Sequence, residues 1–254
     1  MSGTYPDLNG KVVLVTGGSR GIGARTAHAF AAQGARVCVV GRDAEALDAV
    51  VAGITGAGGT ATRAVADVTD SAAVDEARRH VESRFGPVDV LAVFAGGQGL
   101  PVPTVELTEQ RWREVVDSDL TSVFLTVRAF LPGMVERGRG SVVTMSSAAG
   151  RQPSQANLAY GVANAGVVML TRHLATEVGP SGVRVNCVAP SAILTETTQA
   201  RMPAAVRDKV AALHPLNRMG TPDDIADTAL FLASDAASWL TGLTVDVSGG
   251  RVTN

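Results

Sequence analysis

The stretch Val12-Val13-Leu14-Val15-Thr16-Gly17-Gly18-Ser19-Arg20-Gly21-Ile22-Gly23 constrains the fold more than any other part of the chain. Four aliphatic residues in a row suit a strand covered on both faces. Gly17, Gly18 and Gly21 allow a tight turn and let the backbone come close to a bound group. Gly23 removes a side chain where the next helix, expected over residues 22–33, packs on the strand. That helix would begin with free backbone N–H groups and a positive dipole end, and both favour a pyrophosphate. A plain strand–turn–helix corner needs glycines only for the turn; three spaced glycines directly after an aliphatic strand exceed that need.

The rest of the chain alternates in the same way. Further strands are expected over 36–40, 60–66, 88–94, 140–147, 183–189 and 243–247. Helices are expected over 43–56, 70–85, 108–136 and 155–178, with a last amphipathic helix opened by Thr221-Pro222. Thr108 is placed to cap its helix, and Gly86-Pro87 and Gly179-Pro180 stop theirs. Residues 191–220 read as irregular and partly helical. Strict alternation of strand and helix predicts an α/β chain with a doubly wound, seven-stranded parallel sheet and helices on both faces. No linker or repeat divides the 254 residues, so 1–254 is expected to be one domain. The net charge of -2 gives no sign of a nucleic-acid or membrane partner. Cys38 and Cys187, the only cysteines, lie inside aliphatic runs and read as buried thiols. Residues 1–9 are polar and no run of about 18 apolar residues occurs, so a cytoplasmic protein without a membrane span is expected.

The glycine spacing is T-G-x-x-x-G-I-G, and the chain resembles the short-chain dehydrogenase/reductase family, 3-oxoacyl-carrier-protein reductases in particular, from Lys11 to about Gly250. The resemblance implies a single Rossmann-like domain that binds NADP(H). Gly17, Ser19, Arg20, Gly21, Ile22 and Gly23 would hold the pyrophosphate, and Asp67 and Val68 the adenine. Ala95 and Gly96 fit close approach of backbone to cofactor, and Pro190, Ile193 and Thr195 would reach the nicotinamide. At the end of the second strand an acidic residue, roughly 20 residues past the glycines, selects NAD, whereas Arg accommodates a 2′-phosphate. Here the residues are Gly41 and Arg42, with Arg20 as a second cation, and two guanidiniums can fork onto one phosphate. Arg42 as a solvated surface residue and Asp67 as a helix-entry residue are the alternatives. Asp43 either blunts the preference or caps the next helix. Residues 191–216 resemble a substrate lid.

Reducing a carbonyl requires an acid for the developing alkoxide and donors that polarise the carbonyl. By resemblance Ser147 orients the substrate oxygen and Tyr160 donates the proton. A free phenol has a pKa of about 10. The family corrects this with a lysine one helical turn later, but here that position is Asn164, which also lies toward the nicotinamide ribose and supplies no charge. Asp119 stands where the family has Asn, in Asp119-Leu120-Thr121-Ser122-Val123-Phe124. A carboxylate there raises the Tyr160 pKa further, unless it is protonated or takes part in a proton relay. Phe94 replaces a second Asn, and Ser191 stands where Gly is usual. Three functions stay open. One is an NADP(H)-dependent oxidoreductase for a ketone or secondary alcohol, 3-oxoacyl compounds included. Another is an NADP-binding subunit without turnover. The third is a non-redox acid–base enzyme such as a dehydratase. The apolar helices over 108–136 and 155–178, with a C-terminal strand like that used in the family's tetramer contacts, predict a homotetramer or homodimer.

Overall fold

The aliphatic runs and their intervening segments form β1 (Val12–Thr16), α1 (Gly21–Ala32), β2 (Arg36–Gly41), α2 (Ala44–Gly56), β3 (Thr60–Val65), α3 (Ser71–Phe85) and β4 (Val90–Val93) in the computed structural model, which describes residues 3–253. The chain continues through α4 (Glu109–Val116), α5 (Ser122–Glu136), β5 (Gly140–Met145), α6 (Leu158–Val178) and β6 (Val183–Pro190). It ends with α7 (Glu196–Arg201), α8 (Ala204–Ala211), α9 (Pro222–Ala233) and β7 (Thr244–Val247). The seven strands form one parallel sheet in the order β3-β2-β1-β4-β5-β6-β7. This is a single Rossmann-like, doubly wound domain.

Side chains alternate along each strand between two apolar layers. Val13 and Val15 pack with Phe30, Leu47, Ile225 and Leu230 from α1, α2 and α9. Val12 and Leu14 pack with Val81, Val127, Phe130 and Val167 from α3, α5 and α6. Because both faces are covered, the strands are aliphatic throughout instead of alternating with polar residues. Cys38 and Cys187 belong to the second layer. Burial pushes the Cys38 thiol up to about 12 and raises that of Cys187, so both are inert thiols.

Strand order reverses at β1. The chain winds outward through β2 and β3, then returns to lay β4 on the other side of β1. The crossovers leaving the carboxyl ends of β1 and β4 diverge, and that divergence opens a crevice. Thr16 secures its floor, its Oγ1 accepting from the amides of Phe94 at 3.0 Å and Ala95 at 3.1 Å. These bonds draw the chain away from the ladder, which is why β4 ends at Val93 and not at 94.

Two helices differ from the sequence expectation. The helix expected over 108–136 is capped by Thr108, whose Oγ1 accepts from Arg111 N at 3.1 Å. It is interrupted by a π-type turn, Asp117–Thr121, after which the Ser122 amide reaches back to the Asp117 carbonyl. Such a turn carries one residue more than an α-turn. The helix expected from 155 starts at Leu158, because Asn157 caps it by accepting from Tyr160 N at 2.9 Å. The termini of α9 are secured from both ends of its length. Thr221 and Asp224 form a capping box at the start. At the end, the Arg184 guanidinium donates to the carbonyls of Leu232, Ala233 and Ser234 at 2.8, 3.1 and 3.0 Å. Among the described residues no helix is long and apolar enough to cross a membrane.

Candidate active site

A cavity of about 1050 Å³ occupies the crevice, and every site residue singled out from the sequence lines it. In its cofactor half the glycines are fixed by close approach. Gly17 has φ +66°, and a Cβ there would fall 2.8 Å from the Phe94 carbonyl oxygen. A Cβ on Gly23 would fall 2.2 Å from the Gly17 carbonyl oxygen. α1 begins at Gly21 with no side chain capping it, so its first amides point into the cavity end as an anion site. Ser19, Arg20, Gly21, Ile22 and Gly23 surround this point, with Ala95 and Gly96 opposite.

The two guanidiniums near Gly41 each face a carboxylate. Arg20 pairs with Asp43 Oδ2 at 2.6 Å, while Asp43 Oδ1 caps α2 by accepting from Ala46 N at 3.1 Å. Of the two roles weighed for Asp43, the structure shows the helix cap. Arg42 lies 3.8 Å from Asp67 Oδ2, and its side chain is 76% exposed. Hydrogen bonds from the Thr69 amide and hydroxyl, and then the Arg42 charge, hold the Asp67 carboxyl below its ordinary range. Exposed pairs of this kind contribute about 0–1 kcal/mol, so a phosphate can displace them at little cost. Val68 lines the cavity beside Asp67.

At the reacting end, Ser147 follows β5 and its Oγ accepts from Ala149 N at 3.2 Å. The turn after it is tied to β7 by Arg151 and Asp246, paired at 2.9 Å and 3.1 Å. Tyr160 sits in the first turn of α6 and shares the cavity wall with Ser147. Burial raises the phenol above its ordinary value of 10; the Ser147 hydroxyl opposes this and the Asp119 charge adds to it. Asn157 holds this corner, its Nδ2 donating to the carbonyls of Gln98 at 2.8 Å and Leu100 at 2.9 Å. Asn164 is buried and turns its Nδ2 to the Tyr160 carbonyl at 3.0 Å, one turn back on its own helix. Neither Lys11 nor Lys209 lines the cavity.

Asp119 lies in the π-type turn and is 5% exposed. Its Oδ1 accepts from Gly97 N at 2.7 Å, whereas Oδ2 is buried without a partner. Burial raises its pKa against the pull of the Gly97 and Gln98 amides. The reacting end thus holds a phenol and a carboxyl whose pKa values are both raised, with no lysine on the cavity wall.

Beyond β6, Pro190 and Ile193 line the cavity as expected. The Thr195 hydroxyl also lies there, but caps α7, accepting from Thr198 N at 3.2 Å. Sequence reasoning missed Asn157, although its place three residues before Tyr160 N is an N-cap signature. It also missed Arg111 and Arg201, which line the cavity because of how α4 and α7 return toward it.

Comparison with known proteins agrees with this geometry. The family model described as Enoyl-(Acyl carrier protein) reductase matches residues 17–251. D-threitol dehydrogenase of Mycolicibacterium smegmatis is 38% identical over 243 residues, covering 96% of this chain and 93% of that protein. 3-Oxoacyl-[acyl-carrier-protein] reductase FabG of Thermotoga maritima is 36% identical over 247 residues, covering 96% and 99%. The crystal structure of a 3-oxoacyl-[acyl-carrier protein] reductase with bound NAD from Brucella melitensis superposes with a TM-score of 0.89 at 35% identity, covering 98% of this chain and 94% of that one.

Asp119 sets a pH dependence of stability. Its pKa is raised in the folded chain and is about 3.9 when unfolded. Unfolding therefore releases a proton between those values, and stability falls as pH rises through the folded pKa. Asp119→Asn removes this penalty. The variant should be more stable than the native chain by about 1–3 kcal/mol at pH 7, with the gap closing below roughly pH 4. Urea midpoints of both proteins at the two pH values check this. A gap independent of pH would clear the orphaned carboxyl oxygen of the effect.

Proposed function

The chain belongs to the short-chain dehydrogenase/reductase family, and on that premise we propose that it is an NADP(H)-dependent oxidoreductase interconverting a ketone and a secondary alcohol. The observation that carries this reading is that Ser147 and Tyr160 stand on the wall of the same cavity as the glycine turn. A bound nicotinamide supplies the hydride. Ser147 holds the substrate oxygen, and Tyr160 delivers its proton to that oxygen as the carbonyl is reduced. Because the phenol is raised, it holds its proton at neutral pH and releases it slowly, so native turnover is expected to be low until that pKa is brought down. The names of the relatives span a polyol dehydrogenase and 3-oxoacyl reductases, so a hydroxylated small molecule or a 3-oxoacyl-type ketone is the substrate class.

Preference for NADP(H) follows from Gly41 and Arg42, with Arg20 beside them and no carboxylate at the strand end itself. The segment 191–216 serves as a substrate lid; α7 and α8 bury none of their residues, so it is held by its base. The protein works in the cytoplasm as a homotetramer or homodimer. Phe124 on α5 and Leu158, Val162 and Met169 on α6 expose an apolar face at 49%, 46%, 46% and 61%. A second reading, a cofactor-binding subunit without turnover, is favoured by one observation: among the described residues no lysine lines the cavity beside Tyr160.

Arg42→Ala should weaken NADPH by roughly tenfold, about 1.4 kcal/mol, and NADH far less. Equal losses in a fluorescence titration would remove Arg42 from the 2′-phosphate. Asn164→Lys with Asp119→Asn restores a cation one turn from Tyr160, where a nearby charge shifts a pKa by about 1–3 units. The double variant should gain ketone turnover and oxidise alcohols at lower pH than the native enzyme. A brisk native enzyme that is slowed by the double change would instead make Asn164 and Asp119 a working relay. Activity arising from an undetectable native level would favour the binding subunit. Sedimentation should find a dimer or tetramer at micromolar concentration; a monomer there would refute the assembly.

A further inference from the structure

Ser191 follows Pro190 at the end of β6 and lines the cavity with Ser147 and Tyr160. Its Oγ lies 3.0 Å from Nε2 of His214, a ring only 2% exposed. On the other side of that ring, Nδ1 lies 2.8 Å from the Val210 carbonyl oxygen, at the end of α8. A carbonyl only accepts, so Nδ1 carries the proton, and in the neutral imidazole Nε2 presents a lone pair. Ser191 therefore donates to His214. Its single hydroxyl hydrogen is engaged there, and its two oxygen lone pairs can only accept.

The chain on each side of this pair is tied to the C-terminal segment of the fold, at Ser191 itself and at Leu216, two residues past His214. The Ser191 amide donates to the Val247 carbonyl at 3.3 Å, and the Leu216 amide to that of Gly249 at 3.2 Å. Nearby, the Thr195 hydroxyl is occupied at the N-terminus of α7. We infer that Ser191 is a hydrogen-bond acceptor of fixed polarity at the reacting end of the cavity, taking an N–H or O–H donor from what binds there, and that His214 is the positioning residue that fixes this polarity. Two sources share this donor chemistry: the carboxamide NH2 of the nicotinamide and a second hydroxyl on the substrate. The inference rests on the dinucleotide reading above.

The test reads binding, which needs no turnover. Fluorescence titration compares NADPH with its 3-acetylpyridine counterpart, in which a methyl group replaces the carboxamide NH2. Competition on the cofactor-loaded protein compares a vicinal diol with the monoalcohol of the same skeleton. The native protein should prefer the donor-bearing member of one pair by about three- to tenfold, and the pair that is discriminated identifies the source. Ser191→Ala should abolish that preference and Ser191→Thr should keep it. His214→Phe leaves the Ser191 hydroxyl free to turn and should compress the preference without equal loss for both members. A merely structural role would weaken both members alike. If His214→Phe does not fold, the two Ser191 variants decide the matter alone. A native protein that discriminates neither pair, or a Ser191→Ala variant that keeps the native preference, overturns the inference. Failure of every dinucleotide to bind sinks the oxidoreductase reading and this inference together, whereas binding without discrimination sinks this inference only.

Discussion

The first turn of α1 lies against the carbonyl of Gly17 with no room for a methyl group between them. A Cβ at position 23 would stand 2.2 Å from that oxygen, closer than any side chain tolerates. This contact brings the amino end of a helix and the carboxyl end of β1 to one point, where free amides and a positive dipole end meet. Thr16 then joins β1 to the chain leaving β4 through two amides. The family's Asn at position 94 is absent here. Phe94 is buried in the apolar layer instead, and the hydroxyl of Thr16 holds the two strand ends in register. The crevice is thus shaped mainly by backbone, which leaves side chains free to set its chemistry.

That chemistry differs from end to end. At the adenine end, cations stand in front of carboxylates that an incoming anion can displace, and all four groups are well exposed. At the nicotinamide end the acidic groups are shielded from water. Tyr160 and Asp119 each hold their protons more tightly because of burial, and each would disfavour ionisation of the other. Both shifts act against a charged site.

Much of this was legible in the sequence because its cause is local. Unbroken aliphatic runs mark strands buried on both faces, and Asp43 and Thr108 cap helices where the sequence offers them as caps. The cavity residues were legible because a doubly wound sheet always opens at the carboxyl ends of its strands. What stayed hidden depends on the return of distant segments. The sequence shows Ser191 as an oddity, but nothing in it says that a histidine beyond α8 folds back beneath that serine. The π-type turn was hidden for another reason. It falls on Asp117-Ser118-Asp119, where no apolar positions mark the helical register.

The extra residue between α4 and α5 separates two kinds of sequence change. An exchange at position 119 alters charge and keeps the carboxyl-sized group against the Gly97 amide. Excision of any one residue from 117–121 lets the turn close into an ordinary helix. Everything on one side then rotates by about 100° and shifts by about 1.5 Å relative to the other. Position 119 would swing away from the cavity, and α4 would lose its seat over the cavity mouth. The length of this turn therefore decides where position 119 points, whether Asp or Asn stands there.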